Sequence, residues 1–127
     1  MARTYLRNFS LIAVVLLFCL IGHSVEMLSM TPVSLSASPS SGTAPLSVTL
    51  SASGTLSNQA CEGGYLEFHF GDGSPSYRSS DSATLQHRAT VSHTYSIPGS
   101  YTASVDLYCA GFAMIDSSDS VTIRVTV

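Results

Sequence analysis

The chain has no lysine and no tryptophan, and only 10% of its 127 residues are charged. Of its five arginines, Arg3 and Arg7 lie at the start, leaving Arg78, Arg88 and Arg124 against all eight acids. Past residue 24 the formal charge is therefore 3 − 8 = −5. No cationic face can be assembled for a phosphate backbone, so nucleic acid is not expected as a partner. Beyond the first residues no stretch repeats its apolar positions at helical spacing, which leaves helices out of the expected fold. Serine and threonine take the place of charge on the outside. Such a surface is either glycosylated through its hydroxyls, partly buried in an assembly, or an ordinary low-charge extracellular surface.

What is present at the start is an export signal. Arg3 and Arg7 precede the apolar run Leu11 to Gly22, and Gly22-His23-Ser24 supplies small residues for a signal peptidase. The run is shorter than the roughly 20 residues a membrane-spanning helix needs. The expected reading is a signal-peptide helix over 1–24, cut after Ser24, a leader over 25–32 and one domain over 33–127. The alternative is an uncleaved anchor. Phe18 stands where a lipoprotein signal needs a small residue, which argues against that use of Cys19. The protein is expected to be secreted or held at the cell surface, with no membrane span in the mature chain.

The rest of the chain alternates. Leu46, Val48, Leu50 and Ala52 interleave with Ser47, Thr49 and Ser51, the two-residue period of a strand with one buried face. Val33, Leu35 and Ala37 do the same, and Pro39-Ser40-Ser41-Gly42 turns out of that strand. Leu66, Phe68 and Phe70 point one way and Tyr65, Glu67 and His69 the other, before Gly71-Asp72-Gly73 stops the strand. Glycine accepts positive φ there, and an Asp side chain bonds nearby amides. Ser74 to Gln86 is polar, with short edge pieces around Tyr77 and Leu85. Ala89, Val91, His93 and Tyr95 share a face, as do Tyr101, Ala103, Val105, Leu107 and Cys109. Gly111 to Ser120 reads as a loop, and Val121, Ile123, Val125 and Val127 as the last strand. The expected fold is all-β, about seven strands in two antiparallel sheets.

The stretch Phe68-His69-Phe70-Gly71-Asp72-Gly73, then His93-Thr94-Tyr95, then Pro98-Gly99-Ser100-Tyr101, resembles the PKD domain, an immunoglobulin-like β-sandwich of extracellular proteins. Gly42, Pro45 and Leu46 match the family's lead-in to its second strand. The likeness runs over about residues 33–127, in the family's order. Phe68 and His69 depart from its usual Trp and Asp. The resemblance implies that the strands Tyr65–Phe70 and Tyr101–Cys109 are antiparallel neighbours. That sets Cys61, just before one, beside Cys109, at the end of the other, and export makes a disulfide the expectation. Closing nearly fifty residues would be worth roughly 4 kcal/mol. Tyr101, just after Pro98-Gly99, resembles the tyrosine corner of such sandwiches. Gly71, Asp72, Gly73, His93, Tyr95 and Tyr101 are thus read as structural turn and corner residues.

Chemistry is sparse. His93 beside Asp72 invites a catalytic or metal role, but no Gly-x-Ser-x-Gly elbow accompanies it, and no enzyme is expected. His69, His87 and His93 lack zinc-ligand spacing. Calcium fits better than zinc, through Asp116 and Asp119 or through Asp72 and Asp81, but no run resembles a dedicated loop, and no cofactor or metal site is expected. The outward row Tyr65, Glu67 and His69, with Asp106 and Tyr108 on the neighbouring strand, is the candidate binding face. The resemblance implies a non-catalytic structural or adhesive module in contact with other proteins. Copies of itself are included among these, in a repeating surface assembly or filament, with Val25 to Ala37 as a segment to donate. The alternative is a monomeric module that binds carbohydrate or another ligand.

Overall fold

The computed structural model describes residues 31–127 apart from Gln59 and Ala113. The expected signal helix and most of the leader lie outside these residues. Among the described residues eight strands form: β1 (Ser34–Ser38), β2 (Ser41–Thr43), β3 (Leu46–Thr55), β4 (Gly64–His69), β5 (Tyr77–Arg78), β6 (Gln86–Tyr95), β7 (Gly99–Cys109) and β8 (Met114–Thr126). They make a three-stranded sheet in the order β1-β3-β6 and a five-stranded sheet in the order β2-β8-β7-β4-β5. No helix occurs among the described residues.

Alternation dictates the packing. The even positions of β3, Val48, Leu50 and Ala52, turn inward from one sheet. Leu66 and Phe68 of β4, Ala103, Val105 and Leu107 of β7, and Ile123 of β8 turn inward from the other. All are buried, and removing one such large side chain ordinarily costs about 2–5 kcal/mol. Because the period is two, slipping any of these strands by one residue would move its whole apolar row into water.

Two segments differ from the sequence reading. The turn expected at Pro39–Gly42 overlaps β2, which crosses to the second sheet and runs parallel to β8, Gly42 opposite Val125. That sheet is therefore not purely antiparallel. The loop expected over Gly111–Ser120 is mostly strand, since β8 begins at Met114 and pairs with β7 along its length, with a register shift at Leu107/Tyr108. Its polar residues do not face water idly. Ser117 Oγ and Asp119 Oδ2 accept the backbone N–H groups of Val33 and Leu35 at 3.0 and 2.8 Å. Hydrogen-bonding side chains there replace the apolar row that would have announced a strand.

Candidate functional site

The family-like turn lies at one end of the sandwich. Gly71 has φ 78° and Gly73 φ 84°, and a Cβ on Gly71 would collide with the Thr102 carbonyl. Between them Asp72 divides its carboxylate. One oxygen accepts the Ser74 amide at 3.0 Å, and the other lies 2.7 Å from His93 Nε2 on the opposite sheet. Burial pushes the Asp72 carboxyl up, but the hydrogen bonds from His93 and Ser74 outweigh it and hold the group below its usual 3.8. The His93 ring stacks on Phe70 at 3.9 Å and meets Tyr95 edge-on at 4.8 Å. The buried Tyr95 hydroxyl donates to the Phe70 carbonyl at 2.8 Å. Its pKa is pushed up to about 12, by burial first, then by the Asp72 charge and Tyr101. Tyr101 donates to the Ile97 carbonyl four residues back, closing the corner.

At the opposite end, Cys61 and Cys109 are joined, with Cα atoms 5.5 Å apart. The register explains it: Gly64 lies opposite Cys109 as β4 begins and β7 ends.

The five proposed face residues do come together on the outside of the five-stranded sheet. Tyr65 pairs with Tyr108 and Glu67 with Asp106. The two tyrosine rings stack at 4.9 Å and 9°. Arg78, which the polar stretch before β6 gave no reason to single out, lies with its guanidinium carbon 3.6 Å from the centre of the Tyr65 ring. It arrives from β5, on the other side of β4 from Tyr108, so both faces of Tyr65 are covered. Asp81 holds Arg78 at 2.7 Å and raises its already high pKa. Glu67 and Asp106, carboxylates directly opposite each other, each accept a serine hydroxyl, from Ser76 at 2.9 Å and Ser118 at 2.6 Å. His69 Nε2 lies 3.3 Å from the second Asp106 oxygen. The Tyr108 hydroxyl is pushed up, by desolvation first and then by the Asp106 and Glu67 charges.

The acids weighed for calcium are dispersed and engaged. Asp116 accepts the Ser57 hydroxyl at 2.6 Å and its amide at 3.2 Å, Asp119 the Leu35 amide, and Asp81 Arg78. Among the described residues no three His, Cys, Asp or Glu side chains assemble a metal-binding group. His87 is buried, and its Nε2 has no hydrogen-bond partner among the described residues.

The turn, the histidine and the corner tyrosine stand in one connected network, and the PKD domain family matches residues 32–108. The chain belongs to the PKD domain family. It is a family of extracellular-type modules that make protein–protein contacts. Solved structures agree on the fold. The PKD domain of an M14-like peptidase from a Thermoplasmatales archaeon is 13% identical, with a TM-score of 0.59 over 78% of this chain and all of that one. The CARDB domain of a Pyrococcus furiosus protein, solved with di-metal ions, is 10% identical, with a TM-score of 0.56 over 76% of this chain and 92% of that one. No curated protein matches the chain.

Proposed function

We propose that this PKD domain is a non-catalytic, exported module that works by protein–protein contact, as a structural or adhesive subunit present in many copies at the cell surface. One observation carries the reading: the Asp72–His93 pair and the acids of β8 are spent on holding the fold. Asp72 and His93 bridge the sheets, and Asp116 and Asp119 tie β8 to Ser57 and to β1. The disulfide suits an oxidising compartment. A single small sandwich adheres weakly, and many copies multiply weak contacts into avidity. Donation of the whole segment from Val25 to Ala37 would require extracting β1 and the residue before it, where Leu35 and Val33 are buried.

Light scattering and intact mass on the secreted protein test this reading. The expected result is a chain starting at Val25, two mass units lighter than the fully reduced form for its one disulfide, travelling as more than one copy. A monomer at all concentrations defeats the multi-copy role. The alternative, a monomeric carbohydrate binder, is supported by the Tyr108 ring beside Glu67 and Asp106. Binding to a glycan panel that disappears in Tyr108→Ala would establish it.

A further inference from the structure

We propose that β6 is the edge through which two copies of this chain pair, antiparallel and strand to strand, joining their three-stranded sheets into one. The inference rests on the multi-copy reading and names the surface that serves it.

Each of the other described sheet edges is closed or short. The outward amide of Leu35 in β1 is taken by Asp119, and that of Val33 just before it by Ser117. β2 is three residues long and β5 two. β6 has ten residues and, among the described residues, pairs only with β3, without a register shift. It has no lysine, proline or bulge, the usual guards against edge-to-edge association.

The hydrogen-bond phase says which backbone groups are open. Leu56 N–H donates to the Leu85 carbonyl at 2.8 Å, so in this ladder the bonded pairs include Gly54–His87, Ala52–Ala89, Leu50–Val91 and Val48–His93. The alternate residues of β6, Arg88, Thr90, Ser92 and Thr94, then point N–H and C=O away from the sheet. Gln86 is excluded, because its carbonyl already accepts the Thr84 hydroxyl at 2.8 Å.

A second copy fits this row. Turned about a two-fold axis at Val91, its β6 sets Arg88 opposite Thr94 and Thr90 opposite Ser92, and the reverse on the other half. All four open residues are paired, and no like charges face each other, since Arg88 is the only arginine or acid on the strand. The half-buried Ala89 and Val91 gain apolar cover, with Val91 against its own counterpart. A strand this poor in charge has no pattern with which to select a foreign partner, yet it complements itself. The symmetry closes, so the product is a dimer rather than a fibre.

The test uses the oxidised mature chain, residues 25–127, with its dissociation constant measured by sedimentation. Thr90→Pro and Ser92→Pro each remove an amide that points off the sheet, a position where an edge strand tolerates proline. Thr90→Lys keeps every backbone group and adds an edge guard. All three should weaken the dimer at least tenfold while leaving the far-UV spectrum unchanged, and Val91→Cys should cross-link two copies on oxidation. Assembly unchanged in the three edge variants overturns the inference while leaving the multi-copy reading intact. Loss of assembly on deleting residues 25–30, with no Val91→Cys cross-link, also overturns it and makes the leader the occupant. A wild-type chain that never associates defeats both.

Discussion

The two ends of the sandwich are held by different chemistry in different directions. At one end the Cys61–Cys109 bond joins β4 and β7, neighbours within one sheet, which the ladder already holds side by side. At the other end, Tyr95 and His93 of the three-stranded sheet reach across to Phe70 and Asp72 beside the five-stranded one. The covalent bond therefore restrains the unfolded chain, and the polar network keeps the sheets facing each other. Redox conditions act on the first end and acid on the second.

Removing the covalent end should have the largest effect. Replacing Cys61 and Cys109 with alanine should cost about 4 kcal/mol by the loop-entropy argument, read as the shift in urea midpoint at constant pH. A loss as small as that of an average surface substitution would mean that the network at the far end already restrains the denatured chain. Next comes Tyr95→Phe, which leaves the buried Phe70 carbonyl without its donor and should cost about 2 kcal/mol in the same measurement. Asp72→Asn should cost least, about 1 kcal/mol at neutral pH, because the pair retains some solvent contact. Its pH dependence sharpens the contrast. The Asp72 carboxyl is held below its ordinary value, so its contribution is complete above pH 3.8 and fades as pH falls through the lowered folded-state pKa. The gap between wild type and Asp72→Asn should narrow in that acid range, whereas the cost of losing the disulfide should not.

The comparison also shows what a sequence discloses. The strands β3, β4 and β7 are legible because one face of each is apolar and period two cannot be mistaken. The turn end is legible because Gly71-Asp72-Gly73, His93 and Tyr101 are residue types with narrow conformational or hydrogen-bonding uses. The first half of β8 is hidden, since Asp116, Ser117 and Asp119 bond to Ser57 and to the edge of β1 instead of filling the core. β2 is hidden because three residues carry no periodicity, and Arg78 because a two-residue strand gives no register. The face row lies together on β4 and β7, but the covering of Tyr65 by Arg78 is not readable from the sequence. That covering leaves neither face of Tyr65 open to a ligand.

The bond between Cys61 and Cys109 also governs how the molecule answers a pull. Tension applied through Thr31 and Val127 can unravel β1 to β3 and β8, but the 48-residue span between the two sulfurs cannot lengthen while the bond stands. β4, β5, β6 and nearly all of β7 lie within that span. Under load such a domain would extend only through the segments outside that span, then hold as an unextendable knot, and release the remainder only after reduction.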